Sequence, residues 1–267
     1  MIVSDQHRFV FVHIPKCAGS SVRQDLQRYD ETGGRFDRRI EELPSIGRVD
    51  MTHLPLAALV QIAPEVHAKL LSDYASYAVL RDPHARFPSA MAQHLKMFGG
   101  TEMAQMDTRT LRREVDRVMV HLAAHPDTLA PEFIHFRRQV DFVVENGHRR
   151  VRHLYRQDQL AACLADIAAR IGVPPPDRVR HTNRTYEMRS PALRAPAVAL
   201  ARMAKTVMPG TAHARLRQRM RRMLMKRTQN TRSDVFDNAE IRTFVDAHYA
   251  EDLALWRSVA AAERVSA

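Results

Sequence analysis

An apolar run that breaks into a loop of small residues, close to the N-terminus, constrains this chain more than any other feature. Arg8–Ile14 is rich in β-branched and aromatic residues, which is typical of a central strand in a parallel sheet covered on both faces. Pro15 cannot donate to a strand ladder, so we expect the strand 8–14 to end there. A helix is predicted over 20–30, with Ser20 or Ser21 as its cap.

The loop between this strand and this helix has the composition of an anion-binding turn. Small residues allow backbone N–H groups to point at one anion at the start of a helix, and the lysine adds a full positive charge. The lysine precedes the glycine by three positions, so the loop is not a Walker A sequence, and a magnesium-bound nucleoside triphosphate is the less natural ligand. An ordinary strand–turn–helix connection with a surface lysine stays open. The candidate anion-binding residues are Lys16, Ala18, Gly19, Ser20 and Ser21.

A second strand of similar character ends on an arginine. Ser76–Leu80 is followed by Arg81, at the end of the strand where open α/β sheets place their ligands. Pro83 suits the first turn of a helix predicted over 84–95, and Ser89 lies on that helix. A guanidinium can hold a phosphate through two hydrogen bonds, and a hydroxyl can add another. Two such anion sites predict a ligand with phosphate groups at two separate ends.

Other interpretations of the same residues stay open at this point. Cys17 and Arg23 have the spacing found in cysteine-dependent phosphatases, in which a thiolate attacks phosphorus from within an anion-binding loop. That hypothesis leaves the second anion site without a purpose. Arg81 could also pair with Asp82 instead of binding a ligand. A non-catalytic basic binding protein is the remaining alternative.

The two motifs together resemble the signatures of sulfotransferases that use 3′-phosphoadenosine 5′-phosphosulfate (PAPS). The loop contains Pro-Lys-x-x-Gly-Ser-Ser, and the second motif is Leu-Arg-Asp-Pro-x-x-Arg-x-x-Ser. The chain is similar to the carbohydrate branch of that family, which includes heparan- and chondroitin-modifying enzymes, and it looks like a soluble, bacterial-type member. The resemblance implies that the loop residues Lys16 and Ala18 to Ser21 bind the 5′-phosphosulfate. It also implies that Arg81 and Ser89 bind the 3′-phosphate.

The resemblance implies a reaction as well. A sulfuryl group passes from PAPS to an acceptor hydroxyl on a carbohydrate or glycan-like molecule, and adenosine 3′,5′-bisphosphate (PAP) is the product. Lys16 would stabilise charge on the leaving oxygen, as the loop lysine of the family does. His53, in a His-x-Pro setting similar to that of the carbohydrate branch, is the leading candidate for the general base. His13 is its rival, although a position just before the loop favours packing. No metal is expected.

Positive charge is concentrated in one segment of the chain. The net charge is +11, and residues 188–233 hold twelve lysines and arginines and no acidic residue. The segment predicts a basic insertion of two amphipathic helices. Such an insertion could contact a polyanionic acceptor or an acidic membrane surface, or it could be a solvated flap. Nucleic acid is an unlikely partner by this reasoning, because no base-reading motif accompanies the charge.

The order of elements predicts the fold. A chain of 267 residues is expected to form one domain over 1–267. Strands alternating with helices predict an α/β fold, P-loop-like, with three α/β/α layers around a central parallel sheet and the basic helical insertion added. The strands are predicted at 8–14, 48–52, 76–81 and 151–155, with a further candidate at 140–144 before a turn at Asn146-Gly147. The other helices are predicted at 55–72 with a break near Pro64, and at 109–123, 131–138, 157–171 and 237–262.

The expected location is a reducing cytoplasm. The two cysteines, Cys17 and Cys163, give no disulfide framework. No apolar stretch is long enough to span a bilayer, and the N-terminal apolar run is too short for a signal peptide.

Overall fold

The computed structural model of the chain describes residues 1–37, 40–44, 46–176, 186–188, 225–227 and 232–266. The chain divides into two units, one formed by Met1–Thr182 with Thr231–Ala267 and the other by Asn183–Asn230. The prediction of a single domain over 1–267 stays a prediction. Each unit is described by itself below.

A four-stranded sheet organises the first unit. Its strands, in spatial order, are β1 (Ile2–Ser4), β2 (Phe9–Val12), β5 (Ala75–Leu80) and β8 (His153–Arg156). β2, β5 and β8 run parallel, which confirms the central parallel sheet, whereas β1 pairs antiparallel with β2 at one edge. The sequence did not indicate β1, because three residues are too few to show a period-2 pattern.

Helices cover both faces of the sheet because the strand side chains alternate between them. Phe9 and Phe11 of β2 belong to one apolar cluster, and Val10 and Val12 belong to another on the opposite face. All four side chains are buried, so the predicted three-layer α/β/α arrangement is confirmed. The first face packs against α1 (Gly19–Leu26) and α6 (Leu160–Ile171), and the second against α2 (Leu56–Ile62) and α3 (Pro64–Leu71).

A further apolar cluster joins the helices that follow β5 to helices near the C-terminus. Phe87, Met91, Leu111 and Val115 lie in it and are fully or almost fully buried. The helices concerned are α4 (Pro83–Met97), α5 (Thr108–Ala124), α7 (Ser233–Phe236) and α8 (Ala239–His248). In the part of the chain that the structure describes, no helix combines the length and apolar character that crossing a membrane requires.

Several predicted elements differ from the structure. The strand predicted at 48–52 is β4 (Gly47–Asp50), and it pairs with β3 (Ile40–Leu43) in a hairpin separate from the main sheet. The sequence analysis did not indicate β3, since its partly exposed sequence Ile-Glu-Glu-Leu shows little strand pattern. The turn at Asn146-Gly147 is confirmed, and it joins β6 (Val144–Glu145) to β7 (His148–Arg149).

The helix predicted at 131–138 is wrong, and of the candidate strand at 140–144 only Val144 is strand, as the first residue of β6. Both stretches form short 3₁₀ turns, at Ile134–Phe136 and Val140–Phe142. The physical reason is a buried arginine of α4: Arg86 donates to the carbonyls of His135 and Arg137, at 3.2 and 2.7 Å. These carbonyls would bond to backbone N–H groups in an α-helix, and a side chain takes that place here.

The helix predicted at 237–262 is two helices, α8 and α9 (Ala250–Ser266), separated at Tyr249. The Tyr249 hydroxyl donates to the carbonyl of Phe136 at 2.7 Å, and its ring lies 5.2 Å from the Arg86 guanidinium. The side chain is buried, so the break places a polar hydroxyl where it finds a partner in the core.

The second unit contains one described pair of strands. β9 (Tyr186–Met188) and β10 (Met225–Arg227) pair antiparallel, with Glu187 opposite Lys226. Residues 225–227 are therefore strand, whereas the basic insertion 188–233 had been predicted as helical. The rest of that prediction, at 189–224 and 228–231, lies outside the described residues.

α9 is fixed to the rest of the first unit by one buried carboxylate. Asp252 is 1% exposed and accepts hydrogen bonds from the backbone N–H groups of Gln139 and Val140, at 2.8 and 2.9 Å. The Arg86 guanidinium lies 3.7 Å away and is 2% exposed. Burial raises the pKa of Asp252, while the charge of Arg86 and the two backbone donors act against this rise. The two backbone donors and Arg86 therefore interact more favourably with the charged carboxylate than with the protonated carboxyl group.

Asp252→Ala is expected to lower the free energy of unfolding by about 3–5 kcal/mol, because it leaves the Arg86 charge buried and unpaired. Urea unfolding monitored by circular dichroism measures the change. Asp246→Ala is the matched control, since Asp246 of α8 is largely exposed and pairs with His84 at the surface. Equal losses in the two variants would contradict this account of Asp252.

Candidate functional site

The loop after β2 turns by unusual backbone angles. Lys16 and Ala18 have φ values of 65° and 64°, in the left-handed region that residues with a β-carbon rarely adopt. Ala18 is the residue before α1, and its carbonyl accepts from the N–H groups of Ser21 and Val22, at 2.9 and 3.3 Å. The serine cap predicted for this helix is wrong, because the backbone of Ala18 makes the turn without a side-chain cap. Such strained loops concentrate at ligand-binding sites.

Gly19 is required here for close approach rather than for a special φ value. A β-carbon at this position would lie 1.8 Å from Cδ2 and 2.0 Å from Nε2 of His13. His13 is buried at the end of β2, and its ring fills the space beside the start of α1. The packing role expected for His13 is therefore what the structure gives it.

The second motif meets this loop. β2 and β5 are adjacent parallel strands, so their carboxyl ends lie at the same edge of the sheet. Arg81 follows β5, and its Nη1 donates to the carbonyl of Lys16 at 3.2 Å. Its Nε is buried and has no hydrogen-bond partner among the described residues. Burial lowers the pKa of Arg81 from its usual value, so the partly buried guanidinium is less well solvated than a fully exposed one.

The alternative hypothesis, in which Arg81 pairs with Asp82, does not describe the main partner of Asp82. Its carboxylate accepts from the backbone N–H of His84 at 2.9 Å and caps α4, with Pro83 in the first turn as predicted. Ser89 lies further along α4 and is half-buried.

One face of α4 lies against the loop. Gln93, one helical turn after Ser89, accepts from the Lys16 ammonium group through Oε1 at 3.3 Å. The structure therefore brings Lys16 and Arg81 to the same end of the sheet, and Ser89 lies one helical turn before Gln93 on α4. Gln93 had not been predicted as a site residue, although its spacing of four from Ser89 was a signal that both lie on one helix face.

A glutamine far along the chain joins the two motifs. Gln139 is fully buried, and its side-chain amide accepts from the N–H and donates to the carbonyl of Arg81, both at 2.9 Å. Its Oε1 also accepts from the Cys17 thiol at 3.2 Å. The amide thus pairs with Arg81 as a neighbouring strand would, beyond the point where β5 ends. No pattern in the sequence pointed to this residue.

The phosphatase hypothesis conflicts with the surroundings of its two residues. Burial raises the pKa of Cys17 to about 12, whereas a nucleophilic cysteine needs a lowered pKa. Arg23 is directed elsewhere: it donates to the carbonyl of Phe36 at 3.0 Å and pairs with Asp37. A thiolate supported by this arginine is therefore excluded.

His53 is held next to the loop by a backbone contact. Its Nδ1 lies 3.2 Å from the carbonyl oxygen of His13. A carbonyl only accepts, so Nδ1 carries the proton and the lone pair of the neutral ring is on Nε2. The ring centroid lies 4.6 Å from that of His13 and 5.3 Å from that of His135. Burial lowers the pKa of His135, and the positive charge of Lys16 lowers it further. Lys16 therefore influences this ring electrostatically.

Comparison with known proteins agrees with this arrangement. The model of the sulfotransferase family matches residues 1–255, and the chain therefore belongs to the sulfotransferase family. The predicted family, its α/β fold and its enzymatic class are confirmed. It is an enzyme that transfers a sulfuryl group to a hydroxyl-bearing acceptor. Neither the curated proteins nor the solved structures compared with the chain gave a match.

Gly19→Ala is expected to destabilise the chain by about 1–3 kcal/mol, because the new methyl group and the His13 ring require the same space. Urea unfolding measures the loss. The sharper measurement is a double-mutant cycle, in which His13→Ala removes the ring. In that background Gly19→Ala should cost much less, and an equal cost in both backgrounds would show that the ring is not the cause.

Proposed function

We propose that this sulfotransferase moves the sulfuryl group of PAPS to a hydroxyl of a carbohydrate acceptor and releases PAP. One observation carries the proposal: the guanidinium of Arg81 donates to the backbone of Lys16. The two predicted anion-binding motifs are therefore adjacent, so one nucleotide with phosphates at both ends would be able to reach both. A phosphosulfate at one motif and a 3′-phosphate at the other account for both.

The residues present suit such a nucleotide. Arg81 keeps a buried Nε–H group without a partner among the described residues, and a phosphate oxygen would satisfy it. The left-handed angles at Lys16 and Ala18 shape a loop at the start of α1, where anions are favoured. The residues that would hold the 5′ end are Lys16, Ala18, Gly19, Ser20 and Ser21, and those for the 3′ end are Arg81 and Ser89.

Lys16 has the position needed to stabilise a leaving oxygen. When bound, PAPS supplies an activated sulfuryl group whose departure leaves negative charge on a phosphate oxygen. The ammonium of Lys16 meets that charge, and Gln93 holds Nζ by a hydrogen bond at 3.3 Å. A charge oriented in advance costs no reorganisation during the reaction, which is the main source of electrostatic catalysis.

His53 serves as the general base in this proposal. The proton on Nδ1 is committed to the carbonyl of His13, so Nε2 accepts the proton of the acceptor hydroxyl. The same hydrogen bond orients the ring and stabilises the imidazolium that forms. Gly19 contributes indirectly, because it leaves room for the His13 ring that packs against His53.

The carbohydrate acceptor follows from the resemblance of the two motifs to the carbohydrate branch. The twelve cationic residues in 188–233 would attract a polyanionic glycan or an acidic membrane surface. Both cysteines are free thiols, which agrees with the reducing cytoplasm that we propose as the location.

Lys16→Ala and Arg81→Ala are expected to fail in different ways. Lys16→Ala should lower kcat about 100- to 1,000-fold, because it removes transition-state stabilisation. Arg81→Ala should weaken PAP binding by roughly 10- to 100-fold, since it removes charged hydrogen bonds of about 1.5–3 kcal/mol. Calorimetric titration with PAP and conversion of PAPS in the presence of desulfated glycans measure the two effects. Lys96→Ala, on the exposed part of α4, is the control. Equal PAP affinity in wild type and Arg81→Ala would refute the assignment.

His53→Gln is expected to lower kcat about 100- to 10,000-fold while PAP affinity stays unchanged. Protonation of His53 at Nε2 removes the atom that accepts the proton, so wild-type kcat/KM should decline on the acid side. The variant should lose that decline. A pH profile of both proteins makes the test, with His84→Gln at the surface as the control. If His53→Gln kept the acid-side decline, another group would be the base.

A further inference from the structure

Three potential metal ligands, one of them the proposed base, come together from two parts of the chain. Asp50 ends β4, His53 follows it, and His135 lies in the 3₁₀ turn Ile134–Phe136. One donor atom from each residue lies within 4.8 Å of the other two. The two histidines are buried, at 8% and 5% exposure. Among the described residues, this is the group of histidines, cysteines and acidic residues that could hold a metal ion.

His135 carries an independent sign of a missing ligand. Its Nδ1 is buried and has no hydrogen-bond partner among the described residues. A buried polar atom without a partner is costly and calls for an explanation such as a bound ion or water. Arg86 fixes the His135 backbone by donating to its carbonyl at 3.2 Å, and the side chain is 5% exposed, so Nδ1 is kept away from bulk solvent.

Both rings are in the state that metal binding requires. His135 is buried, and the nearby charge of Lys16 acts with burial to lower its pKa and favour the uncharged ring. In His53 the bond from Nδ1 to the His13 carbonyl leaves the lone pair on Nε2. A second-shell carbonyl that fixes the tautomer in this way is typical of metal-ligating histidines. Asp50 supplies a carboxylate, already oriented by the backbone N–H of Thr52 at 2.9 Å.

We propose that Asp50, His53 and His135 bind a divalent transition-metal ion of the zinc type, and that the ion inhibits sulfuryl transfer by occupying Nε2 of His53. The inhibitory part rests on the function proposed above, whereas the binding part does not. Two imidazoles and one carboxylate form a ligand set that suits zinc and leaves one open position, unlike the oxygen ligands that magnesium and calcium prefer.

The geometry requires a small adjustment. Zinc bonds of about 2.0–2.2 Å place tetrahedral donors closer together than the 4.8 Å limit within which the three atoms now lie. Rotation of the Asp50 carboxylate and small shifts of the two rings would be needed to close the difference, with the bond from His53 Nδ1 to the His13 carbonyl kept. The charges of Lys16 and Arg86 oppose a cation here, and the Asp50 carboxylate offsets them. Binding should therefore be reversible and should weaken when Asp50 is neutralised.

Cobalt spectroscopy on the full chain tests the binding. CoCl₂ should give visible d–d absorption that saturates at one ion per chain and is displaced by ZnCl₂. His135→Gln and Asp50→Asn should each weaken cobalt binding by at least about 10- to 100-fold, with folding checked by circular dichroism. His84→Gln, a surface histidine paired with Asp246, should bind as wild type does. Absence of saturable absorption, or undiminished binding in folded Asp50→Asn and His135→Gln, would overturn the site.

Enzyme assays test the consequence. ZnCl₂ should inhibit wild-type turnover of PAPS and inhibit His135→Gln at least about tenfold less strongly, while a chelator restores activity. Zinc that binds at the site but leaves activity unchanged, or raises it, would overturn the inhibitory part. Calorimetry with PAP in the absence of metal separates the two proposals. A chain that binds cobalt and not PAP would keep the metal site and refute the proposed function.

Discussion

The site depends above all on the hydrogen bonds of one buried side chain, Gln139. Its amide bonds to the N–H and the carbonyl of Arg81 and also accepts from the thiol of Cys17. A loop with two left-handed residues and an arginine with a buried, unsatisfied N–H group are both costly arrangements. Gln139 fixes both motifs against each other, so that the loop and the arginine can act as one preorganised site.

This constraint reaches the C-terminal end of the fold. The backbone N–H of Gln139 donates to Asp252 of α9, and Asp252 lies beside Arg86 of α4. Arg86 in turn holds the carbonyls of the 3₁₀ turn that carries His135. The loop, the second motif and the turn that carries His135 are thus supported by one buried polar network. A member of this network left without its hydrogen-bond partners would destabilise the fold. Stability and site geometry are therefore coupled in this chain.

The sequence was sufficient to predict the local parts of this arrangement. The apolar strands that precede the Lys16 loop and Arg81 have short-range signals, and the parallel sheet follows from their alternation with helices. The long-range parts had no such signal. Gln139 and Asp252 are ordinary polar residues until the fold buries them, and His135 was one of fourteen histidines. The helix predicted at 131–138 was wrong for the same reason, because Arg86, far away in sequence, captures its carbonyls.

A crystal structure of the chain with PAP tests the central claim most directly, because it locates both ends of one nucleotide. The account predicts the 5′-phosphate within hydrogen-bonding distance of Lys16 and the start of α1, and the 3′-phosphate against the guanidinium of Arg81. It also predicts that Gln139 keeps its bonds to Arg81 in the complex. A nucleotide bound with its 3′-phosphate remote from Arg81, or one that contacts neither motif, would contradict it.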